Sequence, residues 1–329
     1  MTVRLLAFSD RGYALAVRLG AALNGEASRC GEDCPLAGWT AAAFSEADAL
    51  IYVGAAGIAV RAIAPHVKSK AEDPAVLVVD ETGAFVIPLL SGHLGGANAL
   101  AKQIAALTGG QAVITTATDR NGVFAVDLWA RAQNCAVLEP ERIKAVSAAL
   151  LAGKAVEYES DWPIEGTVPD GLGPGSAGGF SVSVARKLDD RLHLVPRIAS
   201  LGVGCRKGTS EAAIENAFAT LTEGISLCPE AVCQVCTIDR KADEPGLLAF
   251  CVAHGWPLRS FSAEELSALP GSFSGSPFVE MTVGVDNVCE RAAVLGSGGG
   301  LLIPKQAGGG VTLAVALAPY TPDWRWEDV

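Results

Sequence analysis

PAVLVVDETGAFVIPLLSGHLGGANALAKQIAALTGG, residues 74–110, is the stretch that decides the fold. AVLVVD is a short aliphatic run, too brief for a buried helix, and reads as a strand. Glu81-Thr82-Gly83 reads as a turn and AFVIPLL as a second extended run. ANALAKQIAALT has helical spacing, with Leu100, Ile104 and Leu107 on one face and Gly109 placed to cap the end. Between the second run and the helix lies Ser91-Gly92-His93-Leu94-Gly95-Gly96. One of only four histidines therefore sits in a glycine cluster at the mouth of a helix.

Working outward, strands and helices alternate. VRLLAFS is a strand, followed by a helix from about Gly12 to Leu23. ADALIYVG is a strand, and GIAVRAIAPHV begins a short helix that Pro65 ends, because the residue before proline avoids helical angles. QAVITTATD is a further strand. Uniformly apolar strands between helices indicate a parallel sheet covered on both faces. From Cys135 to Pro196 the pattern changes. PERIKAVSAALLAG reads as a helix and KAVEYES as a strand. GTVPDGLGPGSAGG has linker composition, with a flexible stretch expected near Gly171–Gly179, and FSVSVARKL and RLHLVPRIA alternate like strands. The earlier alternation resumes at Leu201 and closes with a hairpin in LLIPKQAGGGVTLAVALA. The expected fold class is α/β: two α/β domains with mostly parallel sheets covered by helices, residues 1–131 and 199–329, joined by a small irregular middle segment, 132–198.

At 329 residues, 50% hydrophobic and 19% charged, the chain has the composition of a globular protein with ample core. No stretch reaches the roughly 18 to 20 uninterrupted apolar residues of a membrane helix. Ser9 and Asp10 interrupt the first apolar run, which reads as a strand rather than a signal peptide, so a cytoplasmic protein is expected. A formal net charge of −11 argues against nucleic acid and offers an anionic small molecule no long-range attraction. Local devices must then hold such a ligand. The nine cysteines include the pairs Cys30/Cys34 and Cys233/Cys236. In CQVCTI, positions three apart on a strand face opposite sides, which is poor geometry for a shared metal. Reduced, mostly buried thiols are expected, with CGEDC an exposed loop whose two thiols can pair under oxidation.

In α/β domains ligands gather where strands feed helices. The loops so placed are GAAGIAVR after one strand, Asp80 after the next, SGHLGG, Asp119-Arg120-Asn121, GVGCRKGTS and DRKADEPG. Their glycines let backbone N–H groups approach a ligand oxygen, and helix N-termini add partial positive charge. A histidine at a helix N-terminus is expected to be neutral and basic, able to take a proton from water or an alcohol. His93 is therefore the candidate base, while His66, His193 and His254 read as structural. GVGCRKG is an imperfect dinucleotide fingerprint, its third glycine one residue late, with Asp239 ending the next strand. Cys205 in that loop is a candidate nucleophile, because a helix N-terminus lowers a thiol pKa.

GAAGIAVRAIAPHV, KAEDPAVLVVDETGAFVIPLLSGHLGGANALA and VITTATD closely resemble the N-terminal region of the cobalt-precorrin-5A hydrolase family of anaerobic cobalamin (vitamin B12) biosynthesis. LGVGCRKGTS, TIDRKADEPGLLAF, FVEMTVGVDNVCERAAVL and LLIPKQ with GGVTLAVA resemble its C-terminal domain. The resemblance implies a cobalt-bound, ring-contracted tetrapyrrole substrate carrying acetate and propionate arms. Water opens the δ-lactone formed by the ring A acetate, and the C20 two-carbon fragment leaves as acetaldehyde. Cobalt belongs to the substrate, so no protein cofactor is implied. The partners implied are that substrate and, transiently, other enzymes of the pathway, with neither nucleic acid nor membrane. Placed on this chain, the catalytic candidates are His93, with Asp119 and Asp80 orienting it or the water. Backbone groups of Gly54, Gly57, Gly92, Gly95 and Gly96 are candidates to cradle the lactone oxygen or a carboxylate. Arg61, Lys207 and Lys241, with Glu244 beside Lys241, are candidates to bind the substrate arms, and Arg206 and Lys305 are further cations. Two other readings stay open on the residues alone: a non-catalytic binder of tetrapyrrole intermediates, and a nucleotide-dependent oxidoreductase.

Overall fold

The apolar runs of the first half do form a sheet covered on both faces. The computed structural model describes residues 1–69, 72–93, 95–116, 122–275, 281 and 284–326. They group into two compact units. One holds Met1–Ala132, Ile143–Lys154 and the C-terminal stretch from Arg325; the other holds Gln133–Arg142 and Ala155–Trp324.

In the first unit the strands are β1 (Val3–Ala7), β2 (Glu26–Arg29), β3 (Ala49–Val53), β4 (Ala75–Val79), β5 (Phe85–Leu90) and β6 (Gln111–Ala112), in the order β2-β1-β3-β4-β5-β6. The helices around them are α1 (Asp10–Leu23), α2 (Leu36–Glu46), α3 (Ala56–Ile63) and α4 (Ala97–Thr108). Side chains alternate across each strand, so one apolar run supplies two cores. Leu5, Ile51 and Leu77 pack with Leu15 and Leu19 of α1 and Ile104 of α4. Leu6, Leu50, Tyr52 and Val76 pack with Ala43 of α2 and Ile63 of α3. α1 starts where the Ser9 side chain accepts the Gly12 N–H, and α3 stops short of Pro65 as expected. In α4 the buried stripe is Leu100, Ala101, Ile104 and Ala105, while Leu107 is 48% exposed. The alanines let that helix lie close on the sheet, and Leu107 is not part of its core face.

Strand direction matters most for the site. β2, β1, β3 and β4 run parallel, but β5 runs antiparallel to β4, and β6 follows β5. The five residues between β4 and β5 are too few for the crossover that a parallel return needs. Leu90 at the end of β5 therefore lies beside Val76 at the start of β4. The glycine loop that follows opens at the edge where the parallel strands begin. The loops after β3 and β4 lie at the edge where those strands end.

Two helices follow in this unit, α5 (Val126–Ala132) and α6 (Ile143–Leu151). The second unit contains a sheet where an irregular segment was expected. β7 (Cys135–Val137), β8 (Val156–Ser160), β9 (Leu172–Pro174), β10 (Phe180–Val182) and β11 (Leu192–Pro196) lie in the order β7-β11-β10-β8-β9. The glycine-rich stretch expected to be flexible contains β9, and its Ala177 N–H donates to Glu157 at 2.7 Å. Val184, Val195 and Ile198 share a core with the C-terminal residues, so this segment is not a linker. The C-terminal sheet comprises β12 (Ala199–Cys205), β13 (Val232–Ile238), β14 (Leu258–Phe261), β15 (Gly300–Gly308) and β16 (Val311–Leu317), ordered β14-β13-β12-β16-β15. Its helices include α7 (Glu211–Ile225), α8 (Pro245–His254), α9 (Ala263–Ala268) and α10 (Cys289–Ser297). Among the described residues, no helix is long and apolar enough to cross a membrane.

Candidate active site at the glycine loop

The loop from Ser91 to Gly96 is held by its own backbone. The Gly96 N–H donates to the His93 carbonyl at 2.9 Å, Ala97 N–H to Ser91 O at 3.1 Å, and Asn98 N–H to Gly92 O at 2.9 Å. The first N–H groups of α4 are thus used inside the loop, and those three are not the ligand cradle expected of a helix terminus. Ser91 adopts a left-handed conformation, φ 54°, and its hydroxyl donates to Asp73 O at 2.8 Å. Asn98 is 4% exposed and donates from Nδ2 to Thr116 Oγ1 at 3.1 Å.

The ring of His93 meets a carboxylate. Nδ1 lies 3.0 Å from Asp127 Oδ1, and both side chains are 9% exposed. Asp127 sits in the first turn of α5, where Oδ1 also accepts the Leu128 N–H at 3.1 Å. One turn further, Arg131 donates from Nη1 to the His93 carbonyl at 3.3 Å. Residues four apart share a helix face, so α5 holds the ring with one side chain and the loop backbone with the next. Core residues fix the helix: Trp129 and Phe124 are 0% and 2% exposed, and the Phe124 ring also packs on Trp326 at 5.1 Å.

This arrangement has a definite chemical capacity. An ionised carboxylate only accepts, so Nδ1 carries the proton and Nε2 the lone pair of the neutral ring. The carboxylate fixes that tautomer and stabilises the imidazolium formed when Nε2 takes a proton. Asp127 thus sets a full charge beside the ring, where the expected basicity rested on the half-charge of the helix terminus.

The other candidates do not gather here. Asp80 is a turn former. Its carboxylate accepts the Thr82 N–H at 2.9 Å, the Phe85 N–H at 2.6 Å and the Thr82 hydroxyl. Burial alone would raise its pKa, but these donors outweigh it and hold the carboxyl below the usual range. Gly54 and Gly57 lie at the same edge as Asp80, with Gly54 N–H bonded to Val79 O at 2.8 Å. Arg61 folds back along α3 and donates to Gly57 O at 3.3 Å. With β4 five residues long, about 15 Å of strand separates that edge from the glycine loop. The expected single cluster around His93 is thus two clusters at opposite edges, because β5 reverses direction. Asp119 lies outside the described residues. Asp127 and Arg131 were missed, although a carboxylate and a guanidinium one turn apart in the apolar stretch FAVDLWARA are a signal in themselves: such groups are rarely buried unless paired.

In the second unit, Lys241 and Glu244 first of all bind each other, Nζ to Oε1 at 2.8 Å, and Glu244 Oε2 accepts the Gly208 N–H at 3.0 Å. Lys241, then Gly208, hold the Glu244 carboxyl below its usual range. The pair ties the loop after β12 to the loop after β13. Arg206 and Lys207 are exposed. Lys305 donates its backbone N–H to the buried Glu290 at 2.7 Å. The Cys205 thiol is pushed up by burial, with Lys241 opposing, so it is not the activated nucleophile considered above. The glycine fingerprint there also has another cause: a Cβ on Gly202 would overlap the Cys289 carbonyl, so that glycine serves the packing of α10 on β12.

Family models match in three successive pieces: Cobalamin synthesis G N-terminal over residues 38–119, Cobalamin biosynthesis central region over 124–176, and Cobalamin synthesis G C-terminus over 199–316. A cobalt-precorrin-5A hydrolase of Salmonella typhimurium is 36% identical, over 96% of this chain and 98% of its own. One of Priestia megaterium is 33% identical, over 84% and 80%. A solved structure of a cobalamin biosynthesis protein G homologue from Sulfolobus solfataricus is 20% identical, with a TM-score of 0.42 and 97% of each chain covered. The chain belongs to the cobalt-precorrin-5A hydrolase family.

Proposed function

We propose that the protein opens the ring A acetate δ-lactone of a cobalt-bound tetrapyrrole and releases the C20 two-carbon fragment as acetaldehyde, giving cobalt-precorrin-5B, with His93 as the base. The observation that carries the role of His93 is its buried pairing with Asp127 at 3.0 Å. Nε2 takes a proton from water as the water oxygen adds to the lactone carbonyl. The tetrahedral intermediate collapses, the bond to the C20 oxygen breaks, and the imidazolium returns the proton to that oxygen. The freed hydroxyl is then deprotonated, the bond from C20 to the macrocycle breaks, and its electrons pass into the ring as acetaldehyde leaves. Cobalt enters and leaves with the substrate. The exposed Arg61 is the proposed contact for a carboxylate arm. A cytoplasmic location suits the nine free thiols.

The test is acetaldehyde release from the cobalt lactone by wild type and His93→Ala. Loss of the base should lower turnover by about two to four orders of magnitude, with the far-ultraviolet circular dichroism spectrum unchanged. Near wild-type release from the folded variant would remove His93 from the mechanism.

A further inference from the structure

His93 lies in the region matched by the N-terminal family model, and Asp127 and Arg131 lie in the region matched by the central one. The central region is not a body of its own. Its first helix, α5, belongs to the first unit, while residues from Ala155 onward belong to the second. It is α5 that reaches His93.

We infer that α5 of the central region belongs to the catalytic centre, with Asp127 as the residue that positions His93 and Arg131 as the clamp on its loop. This inference rests on the proposed role of His93. A buried carboxylate in the first turn of an apolar helix is costly unless a donor pairs with it. Here its Oδ1 faces Nδ1 at 3.0 Å. The neighbouring charged side chain on the same face is directed not at a carboxylate but at the carbonyl of the same histidine, at 3.3 Å. Two side chains from one helix therefore constrain one residue, ring and backbone. A helix end that merely needed a cap or an ion pair requires neither contact. The ring has two tautomers, and only the one with the proton on Nδ1 offers Nε2 as a base. The carboxylate selects that tautomer, and the clamp sets where Nε2 lies. Asp127 touches no reacting atom in this scheme.

The experiment compares wild type, His93→Ala, Asp127→Asn, Asp127→Glu and Arg131→Met. Acetaldehyde release is followed at varied substrate, and ¹⁵N imidazole resonances are recorded on histidine-labelled protein without substrate, the His93 signal being assigned by its loss in His93→Ala. In wild type the neutral His93 ring should carry its proton on Nδ1. Asp127→Asn should lower kcat by about 10- to 10⁴-fold, leave KM within about threefold, and shift the ring towards the other tautomer. Asp127→Glu should recover part of kcat, and Arg131→Met should lower kcat while keeping the tautomer. If Asp127→Asn does not fold, the glutamate and methionine variants carry the same comparison. Full kcat and an unchanged tautomer in Asp127→Asn, beside an inactive His93→Ala, would overturn the inference and leave the function standing. An active His93→Ala would overturn the base assignment and this inference with it.

Discussion

Replacing Gly96 by alanine should disable the site by a route that can be separated from simple destabilisation. Gly96 has φ +81°, and a Cβ there would stand 2.7 Å from Arg131 Cζ and nearer still to Nη1. The left-handed conformation costs an alanine about 1–2 kcal/mol. The guanidinium must also move, and it then loses its hydrogen bond to the His93 carbonyl, for about 1–2 kcal/mol more. The expected loss of stability is therefore about 2–4 kcal/mol. Gly109, at the other end of α4, is the control. It has φ +74° with no atom within 4 Å of the added Cβ, so Gly109→Ala bears only the conformational cost, about 1–2 kcal/mol. Urea unfolding measures both variants, and acetaldehyde release measures their turnover. Because a displacement of about 1 Å can cost about 10²-fold in rate, Gly96→Ala should lose about 10- to 100-fold in kcat while Gly109→Ala keeps it. Equal stability losses, or an active Gly96→Ala, would mean that the Arg131 clamp does not hold the loop.

Acid should weaken the second unit through named groups. Lys241 holds the Glu244 carboxyl, and Arg291 the Asp286 carboxyl, below the usual range. A depressed folded pKa gives stability that is present above the unfolded carboxylate range and lost as pH falls through the folded value. Urea midpoints should thus fall from about pH 5 downward, less steeply in Glu244→Gln, and an identical slope in that variant would contradict the assignment. Burial pushes the thiols of Cys135, Cys228, Cys251 and Cys289 up to about 11 and that of Cys236 to about 12. Native protein treated with iodoacetamide at mildly alkaline pH should keep all five unmodified by mass spectrometry, with the half-buried Cys30 and Cys34 reacting first. Rapid labelling of Cys205 would instead restore it as a reactive thiol.

The apolar strands were legible because burial on two faces leaves a continuous signature. VRLLA, ALIYV and AVLVV each supply both cores, and Pro65 ended α3 for a local steric reason. The middle sheet was not legible as a sheet, although KAVEYES and FSVSV both read as strands. Its strands are three to five residues long and separated by glycine and proline. What joins them is a core shared with residues of the C-terminal sheet, and no local pattern encodes that partner. Leu107 shows the complementary limit. Helical spacing placed it on the buried face, but how far a helix face is covered depends on the neighbour.

The active site was half legible for the same reason. His93 stood out because a scarce titratable residue in a glycine cluster has few local explanations. Its partner was sought at strand ends, on the assumption that every strand runs the same way. The turn Glu81-Thr82-Gly83 was recognised, and so short a turn already forces β5 to reverse. Drawing that consequence moves SGHLGG to the opposite edge from Asp80 and removes Asp80 as a partner without any structure. What remains is to ask which carboxylate needs a cation or donor from outside its own element. Asp127 meets that test, since FAVDLWARA is too apolar to leave it solvated, and Arg131 on the same face is engaged with the His93 carbonyl instead. The contact spans 34 residues, so spacing could not have named it. The cost of burying a carboxylate without a partner, set beside a histidine in need of orientation, could have.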